Sequence, residues 1–136
     1  MSWQPFDLDH AAQVIVLKAR ERDAQSLNQA YKMRAACSYG LERFWGEHLR
    51  LAKKEPEKAA FIADTWREFV RLMAEAGISD LPAVMPGGDA PPAQIRALTD
   101  RLWNPEVLSL RDQQVCLSVL SALCDAIVWW TQRLKR

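Results

Sequence analysis

The segment PEKAAFIADTWREFVRLMAEAG, residues 56–77, carries the start, the apolar stripe and the stop of one complete α-helix. Pro56 stands at the first helical turn, where its missing N–H costs nothing. Gly77 follows as a residue that readily adopts the left-handed conformation ending many helices. Between them, apolar side chains recur on one face at steps of three and four: Ala59, Ile62, Trp66, Phe69, Val70 and Met73. The segment therefore predicts a helix with one buried face.

Helical periodicity continues on both sides of this segment. Asp7 or Asp9 can cap a first helix that runs to about residue 22. A second helix is expected over 26–54, a short one over 92–102 and a last one over about 110–133. The predicted inner face of the last helix consists of Val115, Val119, Ala122, Leu123, Ala126, Ile127, Trp130 and Leu134. No segment shows sustained two-residue alternation, so no sheet is expected. The prediction is an all-α fold, a compact bundle of five to six helices.

The bulk composition is that of one folded domain. The chain has 136 residues, of which 49% are hydrophobic and 26% are charged, and its formal net charge is +1. These values exclude a disordered chain and give no global preference for polyanions. We expect a single helical domain over 1–136. Residues 78–92, ISDLPAVMPGGDAPP, are rich in proline and glycine and predict a flexible connection within it.

Compartment signals favour the cytoplasm. The first residues, MSWQPFDLDH, lack the basic and apolar regions of a signal peptide. No stretch approaches the roughly 20 apolar residues that a membrane span needs. The three cysteines, Cys37, Cys116 and Cys124, are odd in number, lack C-x-x-C spacing and fall in helical patterns. They predict buried free thiols in a reducing compartment.

The chain carries no motif that supports catalysis or binds a cofactor. The only histidines are His10 and His48, and no H-E-x-x-H motif is present. Cys116 and Cys124 are eight residues apart on one helix, or about 12 Å, which is too far to share a zinc ion. Gly87–Gly88 lacks the Lys-Ser/Thr that follows a phosphate-binding loop. We therefore expect no catalytic, cofactor or metal site, and a protein that is not an enzyme.

Basic residues along the first two predicted helices suggest contact with a phosphate backbone. Positions 43, 50 and 54 step by seven and four, so they lie near one line on a helix. Such a line can follow a nucleic acid without reading its sequence, although solvated Lys and Arg side chains are the plainer interpretation. The candidate nucleic-acid-binding residues are Lys18, Arg22, Arg43, Arg50, Lys53 and Lys54.

Six tryptophans support a different reading of the surface. Trp45, Trp66 and Trp130 fit the predicted buried faces, whereas three others fit them poorly: Trp3, Trp103 and Trp129. Exposed tryptophans are typical of protein–protein binding hot spots. The alternative hypothesis is a helical protein-interaction module, such as an inhibitor, immunity or adaptor protein, that does not bind nucleic acid.

Two segments carry a family resemblance. Residues 36–63 contain Ser38-Tyr39-Gly40-Leu41, an Ala52-Lys53 helix end and a Pro56-Glu57-Lys58-Ala59 restart. The last predicted helix contains Ala126-Ile127-Val128-Trp129 followed by Arg133-Leu134. Together they resemble the small subunit of type III (Cmr-type) CRISPR effector complexes, or the small subunit of a related class 1 complex.

The resemblance implies a cytoplasmic, all-helical structural subunit without catalysis or cofactor. Copies of such a subunit stack within an antiviral defence ribonucleoprotein. Basic helix faces contact the backbone of the guide RNA and of the target strand. The implied partners are therefore guide RNA, target strand, copies of the chain and other subunits of the complex, with no membrane.

Overall fold

The computed structural model describes residues 5–83 and 89–135, with the backbone alone for Pro5 and Phe6. Over these residues the chain is all-α and contains no strand, which confirms the predicted fold class. A 3-10 turn, Ala24–Asn28, joins the first two helices. The helices of the described residues are α1 (Pro5–Arg22), α2 (Gln29–Cys37), α3 (Leu41–Leu51), α4 (Pro56–Glu75), α5 (Pro92–Trp103) and α6 (Leu110–Leu134).

Helix ends follow local capping chemistry. Pro56 occupies the first turn of α4, and Gly77 adopts φ 92° just beyond its end, as predicted. The hydroxyl of Ser109 accepts a hydrogen bond of 3.1 Å from the backbone N–H of Asp112 and so caps α6. Asp23 does the same for the 3-10 turn by accepting from the N–H of Gln25 at 3.0 Å.

The predicted single helix over 26–54 was wrong, because the chain turns a corner between α2 and α3. At this corner Gly40 has φ 116° and ψ 168°, a region that residues with a Cβ rarely adopt. The apolar stripe nevertheless continues across the break, since Cys37, Leu41 and Phe44 are all buried. Periodicity alone therefore suggested one uninterrupted helix.

The core forms around α6, which packs mainly against α1 and α2, while α3 packs against α4. Val115, predicted on the inner face of α6, is instead 39% exposed, because the buried face is rotated by about one residue. The residues on that buried face are Cys116, Leu120, Leu123, Cys124, Ile127 and Thr131.

Aromatic side chains join α3 to α4 in the other half of the bundle. The rings of Phe44 and Trp66 stack with centroids 6.0 Å apart, and those of Trp66 and Phe69 tilt at 5.2 Å. All three side chains are fully buried. The buried indole Nε1 of Trp66 donates a 2.6 Å hydrogen bond to the carbonyl of Pro82, which satisfies this polar group inside the core.

The connection over 78–92, for which the sequence predicts flexibility, packs against the bundle in its first part. Ile78 and Leu81 are buried, and the carbonyls of Asp80 and Pro82 accept hydrogen bonds from α5 and α4. The Asp80 contact comes from Nη2 of Arg101 at 2.8 Å. The Gly87–Gly88 pair and the rest of 84–88 lie outside the described residues, and the flexibility of the connection stays a prediction.

Only α6, among the described helices, is long and apolar enough to cross a membrane by length and composition, a property that the sequence analysis did not anticipate. Its most apolar 18-residue window has a mean hydropathy of 1.4. The central helix of a folded bundle meets the same criterion. Here α6 packs against α1 and α2, and Asp125 in its middle pairs with Arg34 of α2.

Replacement of Gly40 tests the corner between α2 and α3. Gly40→Ala should lower the free energy of unfolding by about 2 kcal/mol, because alanine is strained at this backbone conformation. The matched control is Gly46→Ala within α3, where a Cβ meets nothing within 4 Å. This change should stabilise the protein by roughly 0.5–1 kcal/mol. Urea denaturation of both variants checks the two signs, and equal effects would contradict the assignment.

Candidate nucleic-acid interface

A groove of about 350 Å³ runs along the surface where α2, the Gly40 corner and α3 meet. We call it the α2–α3 groove. Positions 32, 35 and 36 share one face of α2, positions 43, 47 and 50 share one face of α3, and Tyr39 lies at the corner between the two helices. Its lining residues are Lys32, Ala35, Ala36, Tyr39, Arg43, Glu47 and Arg50. Three cations against one carboxylate give this lining a net charge of +2.

The end of the groove nearest the Gly40 corner combines an exposed aromatic ring with a cation. Tyr39 is 68% exposed, the most exposed large apolar side chain among the described residues. The guanidinium carbon of Arg43 lies 5.6 Å from the centroid of that ring. An exposed ring beside a cation can accept a stacked base while the cation contacts a phosphate.

The other end of the groove, near the C-terminal end of α3, contains an ion pair within that helix. Arg50 donates to Oε2 of Glu47 from Nη2 at 2.8 Å and from Nε at 3.2 Å. This hydrogen bond raises the pKa of Arg50. Since Arg50 is already paired, an anionic ligand must compete with Glu47 to reach it, and Glu47 repels that ligand. Lys32 and Arg43 are the cations best placed to make the first contact.

The structure brings together only two of the six predicted binding residues, Arg43 and Arg50. Arg22 instead forms an ion pair with Asp64 of α4, whose carboxylate is 10% exposed and also accepts from Nη1 of Arg67 at 3.1 Å. Arg22 is therefore a link between α1 and α4. Lys18 is exposed on α1, outside the lining of the α2–α3 groove.

The two remaining candidates lie beyond the end of α3. Lys53 pairs with Asp89 at 2.8 Å, and the hydrogen bond to this carboxylate raises the pKa of Lys53. Both side chains of the pair are more than 70% exposed, so it adds little stability. Lys54 is exposed next to it and does not line the groove.

Sequence reasoning missed two of the groove residues, Lys32 and Tyr39. Lys32 is a basic residue near the candidate line, but the break after α2 decides which face it shares with Arg43. Tyr39 belongs to the corner, which the prediction placed inside a helix. A search for aromatic residues interleaved with the basic ones would have found Tyr39.

The tryptophans divide as the sequence suggested, within the described residues. Trp45 and Trp66 are fully buried and Trp130 is partly buried, whereas Trp103 and Trp129 are 55% and 47% exposed. Trp3 lies outside the described residues. The guanidinium carbon of Arg133 lies 4.0 Å from the centroid of Trp129, so the exposed face of α6 also carries a cation against an aromatic ring.

Potential metal ligands are dispersed across the parts of the chain that the structure describes. No group of three or more His, Cys, Asp or Glu side chains there is arranged to hold a metal ion. His48 is half-buried on α3 rather than deep in the core, and His10 is exposed on α1.

Removal of Arg22 should lower stability, and it should not alter any affinity for RNA that the chain has. Arg22→Ala leaves the largely buried Asp64 with Arg67 alone, so the free energy of unfolding should fall by about 1 kcal/mol. Urea denaturation measures this loss, and fluorescence anisotropy with a single-stranded RNA measures binding. Full stability together with weakened RNA binding would contradict the structural role of Arg22 and indicate that Arg22 contacts RNA.

Comparison with protein-family models, with curated proteins and with solved structures gives no match to this chain.

Proposed function

We propose that the chain is a non-catalytic, RNA-binding structural subunit of a ribonucleoprotein, and that the α2–α3 groove holds a single strand by its backbone. The observation that carries the proposal is the groove itself, where Lys32, Tyr39, Arg43 and Arg50 converge within one concave surface of about 350 Å³. Basic side chains interleaved with an exposed aromatic ring favour a single-stranded polyanion over a small neutral ligand.

The dimensions of the groove fit a chain of nucleotides. Arg43 and Arg50 lie seven residues apart on α3, which separates their backbone positions by about 10 Å along the helix axis. A strand that follows this line would place phosphates near Lys32 and Arg43 and a base on Tyr39. None of these contacts depends on the identity of the bases, so binding should depend strongly on salt and little on sequence.

The resemblance to small subunits of type III (Cmr-type) CRISPR complexes extends this proposal. In such a complex, copies of the chain would stack in the cytoplasm and contact the guide RNA and the target strand. The segment that carries most of the resemblance, residues 36–63, includes Tyr39, Arg43, Glu47 and Arg50 of the groove. A related class 1 complex would use the same surface.

Charge changes inside the groove test the RNA-binding role in both directions. Glu47→Gln removes a repulsive carboxylate and frees Arg50, so the variant should bind single-stranded RNA more tightly. Arg43→Gln with Arg50→Gln should weaken binding and lower the slope of log Kd against log salt by about 0.7 for each lost phosphate contact. Fluorescence anisotropy with one labelled oligonucleotide at several salt concentrations gives both quantities.

Lys18→Gln is the matched control, because it removes one exposed positive charge outside the groove. Its effect should be small. Equal losses for Lys18→Gln and for the double arginine variant would indicate non-specific attraction and would remove the groove from the interface. The gain expected for Glu47→Gln cannot arise from misfolding, so its absence in a folded variant would also count against the groove.

Base stacking on Tyr39 is a separate prediction. Tyr39→Ala should weaken binding by about 1–3 kcal/mol, whereas Tyr39→Phe should bind like the unmodified chain, because the ring and not the hydroxyl is used. The salt slope should stay unchanged in both variants. A large loss with Tyr39→Phe would contradict stacking and indicate a hydrogen bond from the hydroxyl.

Assembly into a ribonucleoprotein requires a different measurement. The tagged protein, purified gently from its native host, would be examined by native mass spectrometry with and without nuclease. Several copies bound to a short RNA would support the subunit role. A particle that does not change with nuclease would contradict it, even if the isolated chain binds RNA.

The exposed tryptophans favour a second candidate, a protein-interaction module. Trp103 and Leu110 are 55% and 65% exposed on either side of the α5–α6 connection. Leu110 also lines an apolar groove of about 250 Å³ together with Leu41, Leu102 and Leu117. Under this candidate, Trp103→Ala would release a protein partner from the purified complex, and Arg43→Gln would have no effect on it.

A further inference from the structure

Two cysteine side chains from different helices meet inside the core. The sulfur of Cys37, the last residue of α2, lies 3.7 Å from the sulfur of Cys124 in the middle of α6. The two residues are 87 positions apart in the chain, and they are 1% and 0% exposed. This separation is close to van der Waals contact between sulfurs, so a bond of roughly 2.05 Å needs an approach of less than 2 Å.

The neighbourhood of the pair contains charge and hydrogen-bond partners. Nε of Arg34, one turn before Cys37, donates at 2.5 Å to Oδ1 of Asp125, which follows Cys124. The pKa of Cys37 is lowered by its hydrogen bond with Cys124, and Arg34 and Ser121 lower it further. The pKa of Cys124 is raised by the same hydrogen bond and by burial. Position also distinguishes the two thiols, because Cys37 ends α2 beside the exposed residues Ser38 and Tyr39, whereas Cys124 lies in the middle of α6. Cys37 is therefore the thiol that a small oxidant meets first.

Cys116 provides the contrast. It is also fully buried on α6, two turns before Cys124, but burial raises its pKa to about 12. No sulfur partner of Cys116 is found in the described part of the chain. A thiol of this kind is chemically inert, whereas an adjacent unequal pair has the arrangement of an attacking and a resolving cysteine.

We propose that Cys37 and Cys124 form an oxidisable dithiol that a hydroperoxide converts into a disulfide between α2 and α6. The thiolate of Cys37 attacks one peroxide oxygen, which forms an S–O bond, breaks the O–O bond and releases hydroxide or alkoxide. That leaving group takes a proton and departs as water or alcohol. The sulfur of Cys124 then attacks the sulfenic sulfur of Cys37, which forms the S–S bond and releases hydroxide. This hydroxide takes the proton of Cys124 and leaves as water.

The peroxide reaches the pair through the corner between α2 and α3. Cys37 ends α2, and the next two residues, Ser38 and Tyr39, are exposed. Local opening of this short turn uncovers the sulfur of Cys37 without unfolding α6. The reaction is therefore slower than that of an exposed thiol but proceeds in the folded protein.

Treatment of the full chain with hydrogen peroxide tests the proposal directly. The folded protein should lose the mass of two hydrogen atoms, and peptide mapping should find one cross-link, between the Cys37 and Cys124 peptides. Dithiothreitol should reverse the change. Cys116→Ser should behave like the unmodified chain, whereas Cys37→Ser and Cys124→Ser should form no intramolecular cross-link. The unmodified chain alone decides the matter if a serine variant does not fold.

Other products would overturn the proposal. Sulfinic or sulfonic acid at Cys37 without a cross-link would show that Cys124 does not resolve the sulfenic acid. Cross-links that include Cys116 would show reaction in the unfolded chain. Peroxide added in urea should give a mixture of cross-links that includes Cys116, and this mixture serves as the reference for the unfolded chain. The same mixture from the folded protein would also exclude the dithiol.

Discussion

Burial of one face of α6 against α1 and α2 is the constraint on which the rest of the molecule depends. This face consists of side chains without a charge, from Cys116 to Thr131, and its burial takes one side of the most apolar described helix out of water. Because α2 must lie along α6, the chain has to turn before α3 can reach α4, where Phe44 and Trp66 stack. Gly40 makes that turn possible.

The corner at Gly40 also determines which side chains line the α2–α3 groove. With α2 and α3 at an angle, the residues on the inner sides of both helices line a shared groove, and Ala35 and Ala36 leave room between the longer side chains. On the opposite side of α2, Cys37 is held against Cys124. One short helix thus contributes a wall of the basic groove to the surface and half of a thiol pair to the core.

Much of this architecture could be predicted from the sequence, because the signals are local. Pro56 and Gly77 mark α4, and the apolar stripe marks its buried face. The break at Gly40 was missed because the stripe continues from Cys37 to Leu41 across the corner, so periodicity carries no sign of it. The inner face of α6 was displaced by about one residue, since apolar side chains cover more than half of that helix and leave its orientation to tertiary packing.

The candidate site could be predicted only in part, for a related reason. Arg43 and Arg50 share a face within one helix, which their spacing reveals. The role of Arg22 depends on Asp64, 42 residues away, and the approach of Cys37 to Cys124 spans 87 residues. Contacts at such separations follow from how helices pack, and one sequence contains no direct record of them. Lys53 likewise pairs with Asp89 across the connection between α4 and α5.

Glu47 lowers the affinity that a single basic groove would have for a polyanion. With a net charge of +2, a single groove offers a polyanion few contacts, and one of its cations is already engaged. Under the proposed function, high affinity would come from the number of copies bound to one strand. Once one copy holds a strand, the next copy meets that strand at a high effective concentration. Such an assembly would bind short oligonucleotides weakly and long strands tightly. Its affinity would therefore depend more on the length of the strand than on its sequence.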